Sequence, residues 1–376
     1  MKNEPTDRTV LVLQGGGALG AYQAGALEAL VAAGRTPHWV AGISIGSINA
    51  ALIAGNPPGR RIERLRAFWD TVSADLPEAY GLPHTGPIRE WANTGAAAYA
   101  TLFGASGFFA PRPGALFWPG ELPNPSYFDT SPLRATLCEL VDFDLINDNA
   151  GVRLSVGAVD VRTGNFCYFD SAQQRIGPEH IMASGALPPG FPAIEIEGHA
   201  YWDGGLVSNT PLRHVLNHVS AASATVFQID LFSARGALPK TMAGVAEREK
   251  DIQYSSRTRM VTDMLRERHL MHRRLRELAA MLPATRRADP KVRALLADID
   301  DTAITLVHLI HRHTGGETQT KDFEFSRASM RAHWDAGRDD MSHTLKKLAH
   351  HLAPPEPGSF HVYDFTSVNH TEGATP

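Results

Sequence analysis

The feature that most constrains the fold is a glycine-rich turn within residues 10–25, VLVLQGGGALGAYQAG. Residues 9–13 form a compact apolar run with β-branched side chains, which predicts a buried strand. The apolar spacing over residues 18–33 predicts a helix that ends at Gly34. The glycines therefore lie between a strand and a helix N-terminus, where free backbone N–H groups and the helix dipole favour an anion.

One interpretation of this turn is a dinucleotide site, because Gly15, Gly17 and Gly20 match the pattern G-x-G-x-x-G. Such a site also needs an acidic residue about 20 positions further on, at the end of the second strand, to hold the ribose. No acidic residue lies between Ala29 and Ile43. The sequence therefore argues against a dinucleotide site.

The second predicted strand, residues 39–43, runs directly into the sequence GISIG at residues 42–46, and residues 47–54 predict a helix. A G-x-S-x-G sequence between a strand and a helix is typical of a nucleophile elbow, a sharp turn that exposes the serine hydroxyl. Gly42 and Gly46 lack the Cβ atoms that would clash in this turn. Ser44 is therefore the candidate nucleophile.

A serine nucleophile needs hydrogen-bond donors for the developing oxyanion and a base for its proton. The backbone N–H groups of Gly15, Gly16 and Gly17 are candidates for the oxyanion hole. The candidate base is Asp203, which ends an alternating run and precedes Gly204 and Gly205.

Taken together, GGGALG at 15–20, GISIG at 42–46 and DGG at 203–205 resemble the patatin-like phospholipase family, as does ASGALPPGFP at 183–192. The resemblance implies a three-layer α/β fold with a mainly parallel central sheet. It also implies a Ser–Asp dyad of Ser44 and Asp203, an oxyanion hole at the glycine turn, and no metal or cofactor. Gly20, Gly42, Gly46, Gly204 and Gly205 would support these motifs. Many family members carry Arg or Lys where this chain has Leu19, so no cation is expected there.

A carboxylate is a weak base at its ordinary pKa near 3.9, so the dyad requires an environment that raises the pKa of Asp203. Burial in an apolar cleft would do this. The competing hypothesis is a triad with a histidine, for which His180, His199 and His214 are the nearby candidates. Nothing in the sequence singles one of them out.

The resemblance covers residues 8–235, and we predict a catalytic α/β domain at 1–235. Residues 74–128 are rich in proline, glycine and aromatic residues and have little periodicity, which favours a hydrophobic lid or wall over Ser44, or else a small separate core. Residues 236–356 predict a mostly α-helical C-terminal region with helices over 242–282, 291–313 and 327–351. The segment 322–326 is a candidate short strand. A late strand at 359–365 and a loose tail complete residues 357–376.

Composition limits the partners. The net charge is −4 and no reader motif for nucleic acid occurs, so we expect no nucleic-acid binding. We predict a soluble cytoplasmic protein from three observations. The chain has only two cysteines, its start lacks the apolar core of a signal peptide, and it has no apolar run of about 20 residues. His308 and His311 are spaced like a metal pair, but no acidic or thiol ligand lies close by in the sequence.

One segment departs from this overall balance. Residues 257–293 contain eleven Lys or Arg against four Asp or Glu, together with an apolar stripe. Such a stretch is either a solvated helix face or a peripheral contact with anionic lipid.

The motifs favour a serine hydrolase that cleaves carboxylic ester bonds of lipids through an acyl-enzyme. Three alternatives stay open: an acyltransferase that uses the same acyl-serine, an esterase or polyester depolymerase, and a non-catalytic lipid-binding protein. The sequence does not report head-group preference, chain-length preference or oligomeric state.

Overall fold

The computed structural model describes residues 7–74, 87–116, 124–148, 151–297, 299, 301–312 and 321–366. Phe117 and Trp118 of the predicted lid, His313 and the predicted loose tail from residue 367 lie outside these ranges.

Eleven strands are present in the described ranges. They are β1 (Asp7–Leu13), β2 (Trp39–Gly42), β3 (Ala110–Pro111), β4 (Phe128–Asp129), β5 (Arg153–Asp160), β6 (Phe166–Asp170), β7 (Ile194–Ile196), β8 (His199–Asp203), β9 (Ser223–Asp230), β10 (Ala303–Ile310) and β11 (Phe360–Asp364).

Twelve α-helices accompany them in the same ranges. They are α1 (Ala21–Ala32), α2 (Ile45–Ala54), α3 (Arg61–Val72), α4 (Pro87–Phe103), α5 (Ser131–Leu140), α6 (Phe143–Asn147), α7 (Pro178–Ser184), α8 (Leu212–His218), α9 (Met242–Ala280), α10 (Ala284–Arg287), α11 (Pro290–Leu296) and α12 (Arg327–His351).

Nine strands form one central sheet in the order β11-β10-β9-β1-β2-β5-β8-β7, with β6 paired to β5. The six strands from β11 to β5 are parallel to their neighbours, and β6, β7 and β8 pair antiparallel. The expected mainly parallel sheet is therefore confirmed. Its carboxyl edge carries the turns that follow β1, β2 and β9, which is where open α/β sheets bind ligands.

Alternate residues of β1 pack into two different cores, as the two-residue period of a strand requires. Leu11 and Leu13 join the core formed with α1, α2, α3 and α12, whereas Val10 and Val12 join the core formed with α8 and α9. The sheet is thus covered by helices on both faces. This is the three-layer arrangement that the resemblance implied.

The C-terminal region continues the central sheet. Strands β10 and β11 extend it beyond β9, and β11 is the predicted late strand at the sheet edge. Helix α12 packs along α1, where Trp334 Nε1 donates to Glu28 at 2.5 Å and Tyr22 Oη donates to Asp340 at 2.6 Å.

Three predictions of local structure were wrong. Residues 291–313 are not one helix, because only Pro290–Leu296 is helical and Ala303–Ile310 is a buried strand. A continuous apolar run buried on both faces has no period that separates a strand from a helix. Residues 87–103 of the insertion form helix α4, and residues 321–323 form a 3₁₀ turn in place of the expected strand.

Across the described ranges, no helix combines the length and the hydropathy needed to span a bilayer.

Candidate active site

Ser44 occupies a strained turn between β2 and α2. Its φ of 54° and ψ of −124° lie in a region that non-glycine residues rarely adopt, as expected for a nucleophile elbow. A Cβ on Gly42 would overlap the carbonyl of Gly46, and one on Gly46 would overlap the carbonyl of Leu13. Both glycines therefore permit the tight packing that fixes the turn.

The glycine turn after β1 faces Ser44. Gly15, Gly16 and Gly17 line the same cleft as Ser44, and Gly17 has a positive φ of 55°. The N–H of Gly15 donates to the carbonyl of Asn209 at 3.3 Å, so it is already engaged. Of the three predicted oxyanion donors, we therefore exclude Gly15 and retain Gly16 and Gly17 as candidates.

Asp203 ends β8, which pairs antiparallel with β5, and lies opposite Ala158. Strand β5 lies between β2 and β8, and its Val156 pairs with Gly42 of β2. Val156 is only two residues from Ala158, so Ser44 and Asp203 lie at similar positions along β5. Both side chains line the same cleft, and the Ser44 hydroxyl lies close enough to the Asp203 carboxylate to lower its pKa. The two residues predicted to form a dyad therefore face one cleft.

The segment at 183–192 accepts backbone hydrogen bonds from both Ser44 and Asp203. The N–H of Ser44 donates to the carbonyl and to the hydroxyl oxygen of Ser184, each at 3.1 Å. The N–H of Asp203 donates to the carbonyl of Ala186 at 3.0 Å. One short stretch of backbone thus sets the relative position of the hydroxyl and the carboxylate.

Burial changes the acidity of Asp203. The residue is 2% exposed, and this desolvation raises the pKa of its carboxyl to about 7. Hydrogen bonds from the Ser44 side chain and from the N–H of Gly205, the latter at 2.7 Å, oppose the rise by stabilising the charged form. A carboxylate with a pKa near neutrality is a much better proton acceptor than an exposed one.

The remaining predicted support glycines lie close to these motifs. Gly205 lines the cleft, while Gly20 packs against Ile45 and Gly204 against the carbonyl of Gly157. Leu19 is fully buried. Its side chain is therefore part of the core and does not face an anion.

The cleft over Ser44 is narrow, with a volume of about 60 Å³, and has a largely aromatic wall. Phe108 and Phe109 come from the predicted insertion, and Phe191 belongs to the 183–192 segment. Asp322, Phe323 and Phe325 come from the C-terminal region. That region therefore completes the cleft, which the sequence did not predict. The aromatic lining residues are Phe108, Phe109, Phe191, Phe232, Tyr254, Phe323 and Phe325.

Two buried amide side chains that the sequence did not single out brace the site. Asn209 Nδ2 donates to the carbonyl of Gly15 at 3.0 Å. Gln14 Oε1 accepts from the N–H groups of Leu231 and Phe232, and its Nε2 donates to the carbonyl of Tyr254 at 3.2 Å. The sequence did offer one signal for Gln14: it is a polar residue at the last position before the glycines.

The histidines considered for a triad lie elsewhere. His214 Nε2 donates to the Asp170 carboxylate at 2.9 Å, His199 lies 3.2 Å from Asp160, and His180 accepts from the N–H of Gly177. None of the three lines the cleft that contains Ser44.

The side chains of His308 and His311 have different neighbours. His308 faces a different cavity, and His311 packs against the rings of Tyr22 and His333.

A family model described as patatin-like phospholipase matches residues 11–216. The chain belongs to the patatin-like phospholipase family. This match includes the glycine turn, the serine elbow and Asp203. A second model, described as patatin phospholipase, matches residues 252–357, so the C-terminal region also has counterparts in patatin phospholipases. Membership in the family supports lipid hydrolase activity.

The other comparisons are distant. The chain is similar to the crystal structure of VipD from Legionella pneumophila, with 14% identity over 91% of this chain and 67% of that one and a TM-score of 0.41. No protein with a curated description matches the chain.

Proposed function

We propose that this patatin-like protein hydrolyses carboxylic ester bonds of lipids through a Ser44–Asp203 dyad and an acyl-enzyme. The single observation that carries the proposal is that Ser44 shares one cleft with a buried carboxylate, Asp203, whose pKa burial raises to about 7. The strained conformation of Ser44 and the glycine turn beside it add the exposed nucleophile and the oxyanion donors that acyl transfer needs.

The reaction proceeds in two halves. Ser44 Oγ attacks the ester carbonyl carbon while its proton passes to the Asp203 carboxylate, and the carbonyl oxygen becomes an oxyanion held by the N–H groups of Gly16 and Gly17. The intermediate then expels the alcohol, which takes the proton from Asp203. In the second half, water gives its proton to Asp203 and attacks the acyl-serine, and the fatty acid leaves as Ser44 regains a proton.

The lining of the cleft supports an acyl chain as the group carried by Ser44. Phe108, Phe109 and Phe191 pack against one another with ring centroids 5.4–5.8 Å apart, so they form a continuous apolar wall. Binding apolar surface of a ligand against such a wall contributes about 25 cal/mol per Å². Movement of the 74–128 segment as a lid stays a prediction.

The test is a panel of p-nitrophenyl esters of increasing acyl length beside phospholipids and triglycerides, run with wild type and Ser44→Ala. We expect hydrolysis that grows with acyl length and is lost in Ser44→Ala. Adding competing alcohols and a carrier thiol, followed by product analysis, separates hydrolysis from acyl transfer. Turnover of none of these esters by folded wild type would refute the proposal.

We further propose that helix α9 contacts anionic membranes. Met264, Met271 and Leu278 recur every seven residues and are 48–62% exposed, which places an apolar stripe among the arginines of 257–293. Replacing Met271 and Leu278 by serine should reduce sedimentation with phosphatidylglycerol vesicles. The same two replacements should leave hydrolysis of short, water-soluble esters unchanged. Equal sedimentation of both proteins would argue for a solvated helix face.

A further inference from the structure

The lining of the cleft over Ser44 contains two groups of contacting aromatic rings. One group consists of phenylalanines alone, namely Phe108, Phe109, Phe191 and Phe325. The other consists of Tyr254 from α9 and Phe232, whose rings stack with their centroids 5.0 Å apart and their planes at 27°. The cleft is narrow, so a substrate that reaches Ser44 passes close to both groups.

Tyr254 is held by its backbone and its ring, which leaves its hydroxyl group free. Gln14 Nε2 donates to the backbone carbonyl of Tyr254 at 3.2 Å, and the ring packs against Phe232. Within the described ranges the hydroxyl makes no hydrogen bond, and the side chain is only partly buried. The hydroxyl oxygen is also not one of the buried atoms of those ranges that lack a partner, so it retains accessible surface. A ligand in the cleft can therefore pair with it.

The hydroxyl of Tyr254 lies near the charged groups of the cleft. Burial raises the pKa of Tyr254, and the carboxylates of Asp203 and Asp322, which both line the cleft, raise it further. A carboxylate changes the acidity of a phenol through the charge on the phenol oxygen, so this oxygen lies within electrostatic reach of both. The raised pKa keeps the phenol protonated at neutral pH, where it is a hydrogen-bond donor.

The proposed reaction leaves one oxygen of the ester without a hydrogen-bond donor from a neutral side chain. The carbonyl oxygen pairs with the N–H groups of Gly16 and Gly17, and Asp203 carries the proton. The group of phenylalanines suits the acyl chain. The alcohol oxygen gains negative charge as its bond to the carbonyl carbon breaks, and a donor aimed at such a charge accelerates the step. Tyr254 supplies a donor that none of the other roles uses.

We propose that Tyr254 contacts the substrate during acylation and that its hydroxyl donates a hydrogen bond to the alcohol oxygen as this oxygen leaves. The inference rests on the proposed function. The phenol keeps its proton throughout, and the departing alcohol takes its proton from Asp203. Because Tyr254 belongs to α9, the C-terminal region then contributes to the chemistry as well as to the wall of the cleft.

The test compares butyrate esters that differ only in their alcohol. Tyr254→Phe keeps the ring that stacks on Phe232 and removes the hydroxyl alone. For ethyl butyrate, whose leaving alkoxide is strongly basic, we expect kcat/KM to fall about ten- to hundredfold. For p-nitrophenyl butyrate, whose leaving group is weakly basic and needs little stabilisation, kcat/KM should change little.

Two further measurements separate this role from a structural one. A plot of log kcat/KM against the pKa of the leaving alcohol should be steeper for Tyr254→Phe than for wild type. Tyr99→Phe is the matched control, because it removes the hydroxyl of a tyrosine that is 42% exposed and whose ring contacts Phe103, and it should leave the slope unchanged. Thermal melting should show equal Tm values for wild type and Tyr254→Phe, since the hydroxyl that is removed has no partner within the described residues.

The outcomes distinguish the role of Tyr254 from the proposed function itself. Equal losses on both esters, parallel plots, or an unchanged kcat/KM for every ester in folded Tyr254→Phe would overturn the role of Tyr254 alone. Wild type that hydrolyses none of the esters would refute the proposed function, and this inference with it. A loss confined to esters with basic leaving groups would support both.

Discussion

Ser44 and Asp203 line one cleft although they come from opposite ends of the region matched by the family model. Ser44 follows a parallel strand, and Asp203 ends an antiparallel one on the far side of β5. Backbone hydrogen bonds from both residues to the 184–186 segment hold this arrangement. The arrangement leads to predictions about acidity, bracing and substrate length.

The acidity of Asp203 predicts the pH dependence of hydrolysis. The carboxyl must be ionised to accept the Ser44 proton, and burial raises its pKa to about 7. Log kcat/KM should therefore rise with slope one up to about pH 7 and level off above it. Asp203→Asn removes the base, so the residual kcat/KM of this variant should not show the same rise with pH. An acid limb centred near pH 4 would contradict a buried base.

The bracing of the glycine turn predicts a role for Asn209. Its side chain donates to the carbonyl of Gly15 at 3.0 Å, and losing a hydrogen bond of this kind costs about 1 kcal/mol. Asn209→Ala should lower kcat roughly five- to tenfold by loosening the oxyanion donors, with KM little changed. Asn165→Ala, in an exposed turn, is the matched control. A change confined to KM would indicate that Asn209 contacts substrate directly.

The contribution of the C-terminal region to the cleft predicts a chain-length effect. Phe323 lines the cleft and is only partly buried, so truncation should disturb folding little. Phe323→Ala should lower kcat/KM about tenfold for long-chain esters, because their apolar contact is lost, and hardly at all for acetate esters. Parallel progress curves with octanoate and acetate esters check this. Equal losses on both substrates would show that the side chain supports the fold and not the acyl chain.

Much of the site could be predicted from the sequence because its motifs are local. The glycine turn, the GISIG elbow and the DGG sequence each combine a strand end with residues that the turn geometry demands. Segments 9–13 and 39–43 were also correctly predicted as strands.

The parts that could not be predicted depend on distant contacts. Nothing near Asp322 or Phe325 in the sequence signals that they close a cleft built around 300 residues earlier. The apolar run of β10 resembles a buried helix because strands buried on both faces lose their alternation. Helix α4 was missed because prolines and glycines flank an alanine-rich stretch that carries ordinary helix propensity.

The most direct test of the dyad is active-site labelling with a fluorophosphonate, followed by peptide mass spectrometry. The account predicts one adduct on Ser44, a labelling rate that falls as Asp203 becomes protonated below about pH 7, slow labelling of Asp203→Asn and none of Ser44→Ala. An adduct on another residue, or undiminished labelling of Ser44→Ala, would contradict it.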